Sequence, residues 1–142
     1  MLEIRNATQE DLNYVKNNPF DPRVAKDFGD AKLAGWSKTI IVDGKIVAVG
    51  GVIVFWPGVG HGWYNLSKDA EKSKITVVNC IDALIRLAIK ELNLHRLEAT
   101  VRVDFDKAKN LLEFLGFECE TPKGMKKYTA EGIDAFLYSL TF

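Results

Sequence analysis

Hydrophobic and polar positions cluster and alternate along this chain with periods that predict its elements. Leu2 to Arg5 alternates over a few residues and predicts a short strand. Thr8, with Asp11 three residues on, resembles a capping box opening a helix that runs to about Asn17. The segment Asn18 to Gly35 holds Pro19, Pro22 and scattered apolar residues, which predicts a loop with one or two short helices. Two β-branched runs follow, Trp36 to Val42 and Lys45 to Trp56, separated by Asp43-Gly44, the dipeptide that suits a type I′ hairpin turn. Pro57 and Gly58 break the pattern. Val59 to Leu66 predicts the next strand, where Gly60 and Gly62 suggest a bulge or a close backbone approach.

From about Lys74 to Leu92 the apolar residues recur at helical spacing around a narrow polar stripe of Asn79, Asp82, Arg86 and Lys90, which predicts a long helix buried over most of its girth. Leu94 to Val103 alternates strictly. Leu97, Ala99, Val101 and Val103 share one face; Arg96, Glu98, Thr100 and Arg102 share a wet one. Asp104 is placed to cap a further helix whose Ala108, Leu111, Leu112 and Leu115 face inward, and Gly116 to end it. Phe117 to Thr121 and Lys126 to Thr129 predict strands; the terminal GIDAFLYSLTF fits a short helix or a last strand. The order implies a single α/β (α+β) domain over 1–142. An antiparallel front half leads into a right-handed β-α-β crossover from Val59 to Val103, with ligands expected around Leu66 and Val103.

Composition narrows the class. At 142 residues, 47% hydrophobic and 27% charged, the chain can bury a core without staples and does not match a disordered composition. Nineteen basic and nineteen acidic side chains cancel, so no global field draws it to nucleic acid or to an anionic membrane. No signal peptide or membrane span is expected, and the protein reads as cytoplasmic. Cys80 and Cys119 sit in apolar stretches without metal spacing and predict buried reduced thiols; no metal is expected.

The opening IRNATQEDL, the hairpin IIVDGKIVAVGG, the strand WYNL before a long amphipathic helix, and ATVRVDFDKAKNLLEFLGFE together resemble the GNAT N-acetyltransferase superfamily over nearly the whole chain. The helix closing on Leu115-Gly116-Phe117 is the most telling piece. The resemblance implies a mixed central sheet of about six or seven strands flanked by about four helices. It also implies acetyl-CoA as co-substrate, a small-molecule or protein amine as acceptor, and a homodimer as in many members. In that family the pyrophosphate rests on backbone N–H groups at the start of the long helix, and the pantetheine arm pairs with the fourth strand where it leaves the fifth. The family's loop, Gln/Arg-x-x-Gly-x-Gly/Ala, falls here on Glu71, Lys72, Ser73, Lys74, Ile75 and Thr76, so its glycines are replaced by Lys74 and Thr76. The family's helix asparagine and tyrosine fall on Phe105 and Leu112.

Candidate site residues follow. Asn65 and Leu66 would lie beside the arm, with Lys72, Ser73, Lys74, Ile75, Thr76 and Phe105 along the carrier, and Lys72 and Lys74 meeting phosphates through ammonium groups. His61 alternates with Trp63 and Asn65 on the fourth strand and suits a proton acceptor near neutral pH. Glu98 is an alternative base acting through water, or one partner of an ion pair. Tyr128 could protonate the leaving thiolate. The competing reading is a GNAT-shaped structural or binding protein without acyl transfer, of the kind found among phage virion proteins.

Overall fold

The computed structural model describes residues 1–23 and 32–142. Among these, β1 (Leu2–Asn6), α1 (Gln9–Asn17), β2 (Trp36–Val42), β3 (Lys45–Trp56) and β4 (Val59–Leu66) form the front half. A 3₁₀ turn (Lys68–Ser73), α2 (Lys74–Glu91), β5 (Arg96–Arg102), α3 (Asp106–Phe114), β6 (Glu118–Cys119) and β7 (Ala135–Thr141) complete the chain. The strands build one mixed sheet in the order β1-β2-β3-β4-β5-β7-β6. The β4-α2-β5 crossover supplies its parallel pair.

The hairpin forms as its turn chemistry dictates: Asp43 and Gly44 both take positive φ, 51° and 77°, and β2 and β3 begin on either side. Farther along, Gly51 lets β3 approach β2, since a Cβ there would lie 2.2 Å from the Trp36 carbonyl oxygen. The bulge foreseen at Gly60 and Gly62 falls instead at Val54/Trp56, while Gly60 meets the close approach, its missing Cβ leaving room for a Val52 methyl.

The capping box of α1 is complete, with the Thr8 hydroxyl accepting from Asp11 N–H and the Asp11 carboxylate accepting from Thr8 N–H. Asp11 also accepts from Arg5 (2.6 and 2.9 Å) and from the buried Thr39 hydroxyl (2.8 Å), which clamps α1 to β1 and β2. Leu12, Val15 and Val49 pack beneath it, with Trp63 beside them. The opposite face of the sheet carries α2 and α3, where Ala88, Ala108 and Leu112 meet Leu97, Ala99, Val101 and Tyr138.

Several sequence expectations are corrected. α2 is not buried over most of its girth: Val77, Cys80 and Ala88 are its buried positions, and Ile75 stands 80% exposed. The polar face of β5 is not simply wet, because Arg102 is 8% exposed. Asp104 does not cap α3. It accepts two bonds from the Arg102 guanidinium, and Phe105 takes the cap position without a side-chain bond. Residues 126–129 form turns rather than a strand, joined to β7 by the bridge Met125–Ala135, and the terminal segment is strand β7. Cys80 is buried as expected, but Cys119 is exposed. Three α-helices are present among the described residues against about four expected; any helix over 24–31 lies outside them.

Candidate functional site

β4 and β5 pair through Val59–Arg96, Gly60–Leu97 and His61–Glu98, and then part. Beyond this point β4 continues to Leu66 and β5 to Arg102 without pairing to each other. At the far end the segment 18–20 runs antiparallel beside the end of β4 through the bridge Pro19–Ser67. Ser67 N–H donates to Val47 on β3, so the Leu66 carbonyl, on the other side of the same planar peptide, faces away from β3 and accepts from Phe20 N–H at 3.0 Å. By the same alternation Tyr64 turns its backbone N–H and C=O into the gap between β4 and β5.

The parted strands open a cleft of about 600 Å³, of a size that takes a small organic ligand. Its wall is largely apolar and includes Val15, Trp63, Val78, Ala99, Leu111 and Leu112. Into this wall Asn65 inserts a side chain only 6% exposed, and its Nδ2 has no hydrogen-bond partner. A buried amide donor without an acceptor costs on the order of 1–3 kcal/mol, which an acceptor arriving in the cleft would recover. Burial pushes the nearby Tyr64 phenol up to about 12.

At the closed end of the gap stands His61. Its Nδ1 lies 3.6 Å from Glu98 Oε1, across the last paired residues of β4 and β5, and Phe55 stacks on its ring at 5.7 Å between centroids. Burial lowers the pKa of the imidazole from its ordinary value, against a smaller opposing pull from Glu98, so the neutral ring dominates near pH 7. A neutral imidazole that points Nδ1–H at the carboxylate leaves Nε2 as proton acceptor. Glu98 is itself held by Arg96, whose Nε donates to it at 3.1 Å. Arg96 also grips Glu120 through two bonds of 2.7 and 2.8 Å, and Ser139 Oγ donates to Glu120. Those bonds hold the Glu120 carboxyl at about 2 and raise the Arg96 pKa. A chain of polar contacts thus runs from Ser139 of β7 and Glu120 through Arg96 to Glu98 and His61.

The remaining candidates scatter around the cleft. Lys74 lines it, with its ammonium 2.8 Å from Glu71, and Phe105 lines it beneath the Arg23 guanidinium. Tyr128 lines it from the turn before β7 and is half exposed. Lys72, Ser73, Ile75 and Thr76 do not form its wall. Lys72 is exposed on the 3₁₀ turn, and Ser73 breaks that turn from α2 without a side-chain cap. The segment Lys68–Ser73 between β4 and α2 is thus a tight 3₁₀ turn without glycine. Lys107 in the first turn of α3 and Lys16 of α1 also reach the cleft; sequence reasoning passed over both because a lysine outside the core carries no periodic signal. Among the described residues no group of three or more His, Cys, Asp or Glu is placed to hold a metal, and no helix is long and apolar enough to cross a membrane.

No family model and no curated protein matches the sequence. Solved structures do match the fold. A GNAT-family acetyltransferase from Bacillus anthracis superposes with a TM-score of 0.76 at 17% identity, covering 99% of this chain and 94% of that one. The ribosomal-protein-S5-alanine acetyltransferase from Vibrio fischeri gives 0.71 at 21% identity, covering 99% and 92%. The spermidine/spermine N-acetyltransferase SpeG from Vibrio cholerae gives 0.72 at 15%, covering 99% and 95%. This chain has the GNAT acyltransferase fold.

Proposed function

We propose that this GNAT-fold chain is an N-acyltransferase that moves an acetyl group from acetyl-CoA to a primary amine by direct attack. The observation that carries this reading is the parting of β4 from β5 immediately after the His61–Glu98 pair, which sets a neutral imidazole at the inner end of an apolar cleft. The residues fit a pantetheine arm: Tyr64 offers backbone donor and acceptor to amides lying in the gap, and the orphan Nδ2 of Asn65 seeks a carbonyl. Lys74 and Lys107, both on the cleft wall, would meet the carrier's phosphates through ammonium groups in place of a backbone cradle.

The thioester carried on that arm supplies an activated acyl carbon. His61 Nε2 takes a proton as the amine nitrogen bonds to that carbon and the carbon–sulfur bond breaks, while the Tyr128 phenol, on the cleft wall, returns a proton to the departing sulfur. Glu98 positions the ring, and Arg96 positions Glu98. Bringing amine and acyl carbon together in a water-poor cleft supplies most of the rate.

The second reading, a GNAT-shaped binding or structural protein, draws on one specific feature, the 3₁₀ turn where the phosphate cradle would be. Melting with acetyl-CoA separates the two. At a hundred times its Kd the ligand stabilises the fold by about 2.7 kcal/mol, a rise in Tm of roughly 5 to 10 °C for a domain of this size. An unmoved melting curve with both acetyl-CoA and CoA removes the enzyme reading in favour of the second.

A further inference from the structure

With acyl transfer at His61 as its premise, the surroundings of that imidazole define the body of the amine. Ile53 of β3 lies directly opposite His61 in the β3–β4 register, so both side chains project from the same sheet face, and Phe55, two residues on, joins them there. Trp56 tilts against Phe55 at 5.8 Å. All three apolar side chains are solvent-exposed, Trp56 at 62%, and they continue the apolar wall of the cleft outward past the base.

The charge around this rim points the same way. A polyamine needs carboxylates for its further ammonium groups, yet Asp21 is the one carboxylate among the described residues that line the cleft, and Arg23 grips it at 2.7 Å. Glu98 and Glu120, the carboxylates behind His61, are taken up by Arg96. The same wall adds cations rather than carboxylates, Lys16, Lys32, Lys74, Arg102 and Lys107, with Lys74 paired to Glu71 and Arg102 to Asp104, so among the described residues the cleft offers a second ammonium group no open counter-charge.

We infer that the acceptor is a monoamine on an aromatic or other uncharged apolar body, seated on Ile53, Phe55 and Trp56 with its nitrogen at His61, and that polycationic amines are disfavoured. The rim is a specificity surface continuous with the reactive end of the cleft.

The test uses the full chain, acetyl-CoA, and 2-phenylethylamine and spermidine as probes, with released CoA thiol as readout. kcat/KM for 2-phenylethylamine is expected to exceed that for spermidine by about tenfold or more, and Phe55→Ala to reduce this preference by about tenfold, chiefly through KM for the aromatic amine. Trp56→Ala gives a second, smaller reduction. Acetyl-CoA must still raise Tm in both variants, which shows that they fold and bind the donor. Spermidine preferred or equal, no thiol release with either amine despite the acetyl-CoA shift, or a preference unchanged in Phe55→Ala overturns the assignment while leaving donor binding intact. A chain that becomes monomeric in Phe55→Ala with its amine preference unaltered shows the rim to be an interface between copies, and overturns it too. No acetyl-CoA shift and no transfer overturns the acyl-transfer reading itself.

Discussion

The imidazole of His61 is pulled two ways: desolvation favours its neutral form, and the Glu98 carboxylate favours its protonated form, the first being larger. The rate of acyl transfer should therefore rise with pH along an acid limb centred below the ordinary histidine value near 6.5 and flatten above it. Glu98→Gln withdraws the group that favours the imidazolium, so the limb should move to still lower pH while kcat falls with the loss of ring orientation. His61→Gln should lower kcat by roughly 100-fold or more with KM for acetyl-CoA little changed. Rate profiles between pH 5 and 9 check both; a Glu98→Gln profile displaced upward would sink the assignment of Glu98 as the partner of the base. Both residues were visible in the sequence as members of alternating faces. Their pairing was not, because the register that sets them opposite each other is closed by the whole length of α2.

Among the elements, α1 is clamped to β1 and β2 by one carboxylate, Asp11. Burial alone would raise the Asp11 pKa, but bonds from Arg5, Thr39 and Thr8 outweigh it and bring it down to about 2 from an unfolded value of 3.8. A group depressed in this way gives stability that is complete above the unfolded pKa and disappears as pH falls through the folded one. The gap amounts to about 2 kcal/mol. Chemical denaturation between pH 4 and pH 2 should show this loss in the native chain and a flatter dependence in Asp11→Asn, which starts less stable; parallel slopes would contradict it. The capping box that makes this attachment was legible, as was the hairpin, since both are written in adjacent residues with one dominant conformation. α3 was misread at its start because Asp104 is taken by the guanidinium of Arg102, two residues before it, and the capping pattern does not reveal that competition. The turns over 126–129 were misread as a strand because Tyr128 and Thr129 favour strands, whereas Lys127 takes a positive φ of 52° and Tyr128 and Thr129 bond back to the Ile133 carbonyl. Asn65 was named as a cofactor neighbour from the resemblance, but its burial and its unpartnered amide have no sequence signal.

For the molecule as a whole, the parted strands leave the Tyr64 amide facing the gap with no strand beside it. Its hydrogen exchange should be fast beside that of the fully paired centre of β3, and should slow when acetyl-CoA occupies the gap. Equal protection with and without the ligand would show that the gap does not receive it.

The three pairs between β4 and β5 also make a mechanical seam. On one side lies a stiff antiparallel plate of β1 to β4, on the other a plate of β5 to β7, and the α2 crossover spans both. A molecule so divided bends most easily along that line, and any chain of amides threaded beside Tyr64 acts as a suture. Occupancy of the cleft would then be felt as rigidity far from it, at the outer strands whose motions relative to each other the seam permits.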